Sequence, residues 1–469
     1  MSLLPDDLLH AGVAALGEKL RTREITAVDL ATSCLARLER LGPRLGCVAT
    51  LTSERALEQA RAADSELSAG RWRGPLHGIP YGLKDLVDTA GIRTTWGARP
   101  YADRVPARDA TVQARLADAG AVLVAKLAMV ELAGGLGYHT GEASLTGPCR
   151  TPWDLTRWAG GSSSGSASAV AAGLVPFAIG SETWGSIMCP AAFCGVTGLR
   201  PTYGTISRAG AMALSYTLDK LGPLARSALD CALVLGAVAG EDPRDPSSIP
   251  PPPALARVAP ELPRGLRVAV LGFDGLPTPA PEVSAAWSAA QAVLREAGAL
   301  LELAALPELP FEALCGLVLD AEGVAAFDAL IRSGRTRQLA DPSHQGKRPE
   351  DYQPKASAVD YVWGMRVRGE LQRAMGRFFE RWDLILAPNL TVAPPKVEAN
   401  FDELLSGADP LGAAGNVCGL PALALPMGFA AGLPVSLQLV GPPRSEARLL
   451  SAGALYQSRT SFHAARPPL

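Results

Sequence analysis

An excess of charge of one sign is missing from this sequence. Its 44 lysines and arginines stand against 46 aspartates and glutamates, which leaves a formal net charge of -2. No stretch of the chain concentrates basic residues into a stripe, as the surface of a nucleic-acid-binding protein would require. We therefore expect no nucleic-acid partner.

Long hydrophobic runs are missing as well. The longest apolar runs, such as 167–179 and 420–433, are short or broken by glycine and proline, so they predict core segments and not membrane spans. The first residues include acids where a secretory signal needs positive charge. We expect a cytoplasmic protein that has no membrane partner.

The cysteines and histidines show no spacing that is typical of a metal site or a disulfide framework. The eight cysteines are scattered and form no CxxC pair, which argues against both a zinc site and a disulfide framework. A reducing compartment is the expectation for such a chain. We expect no metal and no cofactor, and only five histidines are available for catalysis.

What the sequence does contain is material for a large apolar core. Hydrophobic residues make up 48% of the chain and aromatic residues only 6%, so alanine, leucine, valine and glycine must fill the interior. A predicted helix over 111–119 is followed by a glycine and a predicted strand over 121–125. That alternation favours a largely parallel sheet and an α/β fold.

The domain organisation follows from where the strand patterns lie. Strands are predicted on both sides of a Pro-rich connection near 242–263, so residues 71–469 are expected to form one compact core. Residues 1–70 are expected to supply helices that pack on this core. One of them is predicted to begin at Thr26 with a capping box and to stop at Gly42-Pro43. The pattern over 310–380 is helical, but its role is open.

Two serines in the stretch 160–201 have surroundings that suggest chemistry. Ser162 follows two glycines, and Ser186 follows Gly185. Glycine-rich turns let backbone N–H groups point at a reacting oxygen without side chains in the way. The alternative for Ser162 and its neighbours is that they only cap the alanine-rich helix that follows.

A serine nucleophile needs a base, and histidine is a poor candidate here. Residues 161–165 match the G-x-S-x-G elbow with Ser163 at its centre, but the preceding segment is loop-like and the downstream histidines lie in ordinary polar or terminal contexts. A lysine can act as the base if burial keeps it neutral, and Lys84 fits because apolar residues precede it. The alternative is a surface lysine beside Asp85.

These residues belong to an ordered set of motifs. The chain resembles the amidase signature family of Ser–Ser–Lys hydrolases from about residue 70 to 443. The matching stretches are 74–80 with Lys84, 151–154, 160–163, 185–187, 190–195 and 198–202, and further blocks follow at 222–224, 242–245, 387–388, 419–422 and 432–434 with Gln438.

The resemblance implies a fold and a division of roles. The fold would be a large mixed, mostly parallel central sheet surrounded by helices. Ser186 would be the nucleophile, Ser162 the bridging serine on a cis peptide bond, and Lys84 the base. The oxyanion would meet consecutive backbone N–H groups, those of Thr183, Trp184, Gly185 and Ser186.

The chain departs from the family pattern around the nucleophile. Glu182 replaces an aspartate, Trp184 replaces a glycine, and Met188 replaces an arginine that usually pairs with the acid. The partner of Glu182 is therefore open. If Trp184 and Met188 border the substrate, together with Leu136 and Gly137, the pocket is apolar and uncharged; the alternative is that both side chains are core.

The expected function is hydrolysis of C–N acyl bonds in small neutral amides, apolar or aryl, through a serine acyl-enzyme. The expected partner is thus a small-molecule substrate, and a homodimer is considered. One alternative is a carbamate (urethane) or ester hydrolase with the same triad. Another is a glutamine-dependent amidotransferase subunit, which needs a charged pocket and a partner protein. A non-catalytic binding module is a further alternative, and the intact Lys84, Ser162 and Ser186 argue against it.

Overall fold

One mixed sheet runs through the protein. The computed structural model describes residues 3–273, 276, 278–405 and 407–469. The sheet has 11 strands in the order β1-β3-β2-β4-β6-β5-β10-β11-β9-β7-β8. The strands are β1 (Val48–Leu51), β2 (Pro80–Lys84), β3 (Val122–Leu127), β4 (Phe177–Glu182), β5 (Thr197–Arg200), β6 (Lys220–Ala225), β7 (Arg267–Val270), β8 (Leu300–Leu303), β9 (Leu384–Pro388), β10 (Ala422–Ala430) and β11 (Leu433–Val440).

Helices surround this sheet. Over the ranges that the structure describes, none of them combines the length and the apolar character that a membrane crossing would need. The helices are α1 (Asp6–Leu9), α2 (Val13–Arg21), α3 (Ala27–Leu45), α4 (Ser53–Ser68), α5 (Thr111–Asp118), α6 (Ser164–Ala171), α7 (Met188–Cys194), α8 (Ala228–Val238), α9 (Pro281–Glu296), α10 (Phe311–Ala326), α11 (Asp328–Arg332), α12 (Ala358–Arg381), α13 (Phe401–Leu404), α14 (Gly412–Val417) and α15 (Glu446–Ser458).

The predicted large mixed sheet surrounded by helices is confirmed, but it is not mostly parallel, because its centre is antiparallel. β6 runs antiparallel to both of its neighbours, β4 and β5, and β10 runs antiparallel to both β5 and β11. Parallel pairs lie toward the two ends, where β2 adjoins β3 and β4 and where β7 adjoins β8 and β9. A parallel pair needs a long crossover, whereas the two residues between β10 and β11 suffice only for an antiparallel hairpin.

The N-terminal 70 residues contribute a strand as well as helices. Thr26 caps α3 by accepting a hydrogen bond from the N–H of Asp29, as the capping box predicts. The helix then continues through Pro43, contrary to expectation, and ends before Gly46 at φ 62°. The carbonyl that Pro43 cannot bond belongs to the exposed Glu39, where water can replace the lost donor. The unpredicted strand β1 pairs with β3 at the edge of the sheet.

The Pro-rich segment near 242–263 joins α8 to β7 without interrupting the sheet. β7 pairs with β9, and β9 pairs with β11, so the strands after this segment extend the same sheet. Asp245 fixes the beginning of the segment by accepting a hydrogen bond from the Arg208 N–H at 2.8 Å.

Two parallel neighbours bring Lys84 and Glu182 to the same end of the strands. β2 and β4 run parallel with Leu83 opposite Ile179, so their carboxyl ends meet there. Lys84 ends β2, and Glu182 ends β4. Helix α6 covers β4, with the Ser166 hydroxyl donating to the Ile179 carbonyl at 3.2 Å, and its N-terminus follows Ser162 and Ser163.

Candidate active site

Lys84 lies at the end of β2 with no exposed surface. Its Nζ atom is surrounded by hydroxyl groups, at 2.7 Å from Ser162 Oγ, 2.9 Å from Ser163 Oγ and 2.9 Å from Ser181 Oγ. Burial lowers the pKa of this amine well below its ordinary value, although Asp219 and Glu182 act in the opposite direction. The environment thus favours the neutral amine, which is the form that can act as a base.

Asp85 does not neutralise Lys84, because consecutive residues of an extended chain point to opposite sides. Its carboxylate accepts hydrogen bonds from the Thr95 N–H at 2.9 Å and from the Thr95 hydroxyl. It also lies 3.5 Å from Nζ of Lys126, which is buried in β3. The alternative of a surface lysine paired with Asp85 is therefore wrong.

The hydroxyl of Ser163 has all its hydrogen-bonding capacity assigned. Its oxygen lies 3.0 Å from the Ser181 carbonyl, to which it donates, and it accepts from the Ser181 N–H at 3.1 Å. It must then accept from Lys84. A neutral amine has two N–H groups and one lone pair, so one N–H serves Ser163 and the lone pair remains for another hydroxyl, such as that of Ser162.

Two glycines precede Ser162 and let the backbone pass close to neighbouring segments. The peptide bond between Gly161 and Ser162 is cis. A Cβ atom on Gly160 would lie 2.7 Å from Pro190 Cα, and one on Gly161 would lie 2.6 Å from the Trp158 ring. Both positions require glycine for this close approach. The Ser162 hydroxyl oxygen that follows these glycines lies 2.7 Å from Lys84 Nζ.

The turn 183–186 presents the second serine. Gly185 has φ 80° and open space at its missing side chain, so glycine is needed there for its conformation and not for room. The Ser186 carbonyl accepts from the Ser163 N–H at 3.2 Å, which ties this turn to the segment that carries Ser162. Ser186 retains 7% of its surface exposed, and its hydroxyl has no hydrogen-bond partner in the described part of the chain.

The backbone donors of this turn are free. Within the described ranges, no protein acceptor takes a hydrogen bond from the N–H groups of Thr183, Trp184, Gly185 or Ser186. Such a set can receive a negatively charged oxygen. Beside it, the Thr183 hydroxyl donates to Asp219 at 2.5 Å, and a cavity of about 130 Å³ opens onto Ser181, Thr183 and Asp219.

The Glu182 carboxylate is held by two backbone N–H groups and by an arginine from another strand. Its Oε2 accepts the N–H groups of Ile187 and Met188 at 2.8 and 3.0 Å, and its Oε1 accepts from Arg200 at 2.7 Å. Burial alone would raise the pKa of Glu182, but Arg200 and Lys220 together with these hydrogen bonds lower it to about 2. Arg200 thus occupies the place of the basic partner that Met188 cannot supply.

The predicted substrate pocket is only partly supported. Met188 has no exposed surface and packs in the main core, so its prediction as a substrate-lining residue is wrong; an apolar side chain gains more from core burial. Trp184, in contrast, is 36% exposed. Leu136 is partly buried against the core and Gly137 is exposed, and their contact with substrate stays a prediction.

Asp409 lies beside Trp184, although no motif in the sequence indicates it. Asp409 Oδ2 and Trp184 Nε1 are 2.6 and 2.8 Å from the position that a Cβ atom on Gly412 would take. Burial raises the pKa of Asp409 to about 6, against hydrogen bonds from Gln438 and the Leu411 N–H. The surroundings of Trp184 are therefore not uncharged. Asp409 is far from Trp184 in sequence and belongs to no catalytic pattern, so only the fold could reveal it.

A Ser–His arrangement has no support. Ser163 is fully buried, and three of the histidines lie beside other side chains. His77 lies 3.2 Å from Glu66, His139 lies 2.7 Å from Asp402, and His344 lies 3.2 Å from the Tyr352 hydroxyl. No histidine in the described ranges is hydrogen-bonded to a serine.

Comparison with known proteins identifies the family of this chain. The sequence profile of the family described as "Amidase" matches residues 29–450. A glutamyl-tRNA(Gln) amidotransferase subunit of Moorella thermoacetica is 39% identical over 99% of both chains. The structure of native peptide amidase from Stenotrophomonas maltophilia superposes with a TM-score of 0.83 at 31% identity over 99% of both chains. A bacterial aryl acylamidase does so with a TM-score of 0.83 at 25% identity over 97% of this chain and 99% of its own. The chain belongs to the amidase signature family.

Proposed function

We propose that the protein hydrolyses C–N acyl bonds with Ser186 as nucleophile, Ser162 as proton bridge and Lys84 as base. The observation that carries this proposal is the position of the Lys84 amine, buried among hydroxyls at 2.7 to 2.9 Å with its neighbour Asp85 directed elsewhere. A charged lysine there would be poorly solvated, so the amine is held as a base.

The reaction follows from the order of these groups. As the Ser186 oxygen attacks the acyl carbon, its proton passes to Ser162 and the Ser162 proton passes to Lys84. The carbonyl oxygen becomes negative and is stabilised by the N–H groups of the turn 183–186. The C–N bond then breaks, and the proton returns through Ser162 to the departing amine. Water attacks the acyl-enzyme by the same relay and regenerates Ser186.

The substrate class proposed is a small neutral amide with an apolar or aryl group. The exposed Trp184 ring in the turn 183–186, here called the nucleophile turn, supports this class, since such a ring can pack on an apolar substrate. Met188 no longer supports it, because it lies in the core. The same relay acts on carbamates and esters, so these remain within the proposed activity.

A second candidate is a glutamine-dependent amidotransferase subunit. Two observations favour it. The relative from Moorella thermoacetica, a glutamyl-tRNA(Gln) amidotransferase subunit, matches the chain over nearly its whole length. In addition, the Asp409 carboxyl beside Trp184 could pair with the ammonium group of an amino-acid amide. This function would require a partner protein to receive the ammonia.

One experiment separates the two candidates. We would measure kcat/KM for an acyl anilide and for glutamine, with the wild type and with Asp409→Asn, which keeps an oxygen to accept from Gln438. The proposed activity predicts that the anilide is preferred and that Asp409→Asn leaves it unchanged. If glutamine is preferred and Asp409→Asn costs it about a hundredfold, as loss of a buried charge pair would, the amidotransferase candidate takes over. Activity that appears only with a partner protein would have the same meaning.

A further inference from the structure

We infer that Arg200 is a positioning residue for the nucleophile turn, acting through Glu182 and in place of a basic residue at position 188. This inference rests on the proposed function of Ser186. Arg200 touches none of the reacting groups. It acts by fixing a carboxylate that in turn fixes the backbone on both sides of the nucleophile.

The Glu182 carboxylate is hydrogen-bonded across the turn 183–186. Glu182 ends β4, immediately before the turn 183–186, and its Oε2 accepts the N–H groups of Ile187 and Met188, immediately after that turn. One carboxylate oxygen therefore joins the two ends of the segment whose N–H groups are proposed to receive the oxyanion. The orientation of those N–H groups depends on where this carboxylate lies.

Arg200 holds the other oxygen of the same carboxylate. Its Nη1 donates to Glu182 Oε1 at 2.7 Å, and its Nε donates to the Leu420 carbonyl at 3.1 Å. Arg200 ends β5 and is paired with Ala422 of β10, so its backbone is fixed within the sheet. The fold leaves room for this side chain at Gly415, where a Cβ atom would lie 2.3 Å from Arg200 Nη2.

Asn416 provides a second support. Its Nδ2 donates to Glu182 Oε1 at 3.1 Å, while its Oδ1 accepts from Lys220 Nζ at 2.7 Å. Lys220 is the strand partner of Glu182 across β4 and β6. Glu182, Arg200, Asn416 and Lys220 are all at least nine-tenths buried. Water therefore cannot replace a lost partner without rearrangement.

The arrangement makes a specific prediction for Arg200→Met. The buried carboxylate would lose its main cation, and it would either take up a proton or move, so that the turn is less well ordered. The substrate itself loses no contact. We expect kcat and the rate of Ser186 labelling by a fluorophosphonate to fall about a hundredfold, the range seen when one oxyanion donor is lost, while KM stays within about threefold.

The test compares a set of variants by circular dichroism, labelling rate, kcat and KM. Arg200→Lys can still donate to Glu182 and should recover part of the loss. Glu182→Gln should show the same loss as Arg200→Met, and the double variant should be no worse than the more impaired single variant, because both act through one carboxylate. Arg226→Met is the matched control, since Arg226 is also a buried arginine but donates to carbonyls near the C-terminus.

The outcomes decide between the inference and the proposed function. A folded Arg200→Met that labels and turns over like the wild type overturns the inference, as do losses that multiply in the double variant. An equal loss of kcat in Arg226→Met would also overturn it, because it would show a general stability effect. If Arg200→Met does not fold, the same comparisons are made with Arg200→Lys and Glu182→Gln. Wild-type protein that is not labelled at Ser186 refutes the proposed function itself.

Discussion

At the scale of single residues, the proposed chemistry depends on what surrounds the Lys84 amine. Three hydroxyl oxygens lie within 2.9 Å of it, and the nearest carboxylate in sequence, Asp85, is bonded to Thr95 and Lys126. Burial disfavours the charged amine. The same lysine on a surface beside Asp85 would be protonated and could not accept a proton at neutral pH.

The first prediction concerns the protonation of Lys84. Because burial lowers its pKa, the amine should lose its proton below the pH at which a free lysine does. kcat/KM should therefore be low in acid, rise as Lys84 deprotonates, and reach its plateau below about pH 10. The measurement is kcat/KM for an anilide as a function of pH. A profile that keeps rising past the pKa of free lysine would contradict this account.

The second prediction concerns Lys84→Arg. Arginine keeps the positive charge and the donors but cannot lose a proton, so activity should fall by roughly a thousandfold or more. Lys126→Met is the control, because Lys126 is a buried lysine on the adjacent strand that contacts Asp85 and not the serines. It should lower the thermal stability and leave the pH profile of the remaining activity unchanged. Equal losses in the two variants would speak against a base at position 84.

At the scale of elements, the nucleophile turn carries the proposed nucleophile, Ser186, from the end of a central strand. It lies between β4 and α7, and its backbone depends on Gly185 at φ 80°. Gly70, which follows α4, has φ 75°, and neither glycine has a heavy atom within 4 Å of its missing Cβ. A side chain at either position is strained only by the backbone conformation.

This pair of glycines gives the third prediction. Gly185→Ala and Gly70→Ala should each lower the free energy of unfolding by about 1–2 kcal/mol, the cost of a left-handed conformation. Only Gly185→Ala should also reduce kcat, because relief of its strained backbone would shift an N–H group that belongs to the set proposed to receive the oxyanion. Denaturant unfolding and kcat for both variants make the comparison. If both keep full activity, the turn 183–186 does not supply the oxyanion hole.

Elements with a strong local signal were predictable from the sequence, and those set by pairing were not. The predicted helix over 111–119 and the predicted strand over 121–125 agree with α5 and β3, because apolar spacing and the glycine between the two elements are local signals. The direction of the central strands is set by contacts distant in sequence, so the helix–strand alternation near residue 120 misled the prediction for the whole sheet.

At the scale of the whole molecule, the N-terminal residues are integrated into the fold. β1 forms the edge of the sheet against β3, and Leu16, Leu20 and Leu30 are buried in the main core. The Arg37 guanidinium also donates to the Ala172 carbonyl after α6, at 2.9 Å. The N-terminal segment therefore covers α6, the helix that follows Ser162.

The fourth prediction tests this integration. Deletion of residues 1–70 removes β1 and leaves the apolar surface under α3 uncovered, so the remaining chain should not fold cooperatively. Calorimetry should show one cooperative transition for the full chain and none for the deletion variant. A truncated protein with a sharp transition and activity would show that residues 71–469 form a core that is stable alone.

The site as a whole was predictable where chemistry constrains residue type at fixed spacing. The motifs single out Lys84 and Ser162, and the fold brings them to 2.7 Å, whereas the contacts of Arg200 with Glu182 and of Asp409 with the surroundings of Trp184 join residues that no motif connects. Met188 illustrates the converse, since its position next to the nucleophile in sequence suggested a pocket residue and the fold directs it into the core.

The most direct test of the account is the identity of the serine that becomes acylated. The protein would be treated with a fluorophosphonate and digested, and the adduct would be located by peptide mass spectrometry in the wild type, Ser186→Ala and Ser163→Ala. We expect the adduct on Ser186 in the wild type and in Ser163→Ala, and no adduct in Ser186→Ala, which should remain folded and inactive. An adduct on Ser163, or full activity of Ser186→Ala, would contradict the central claim.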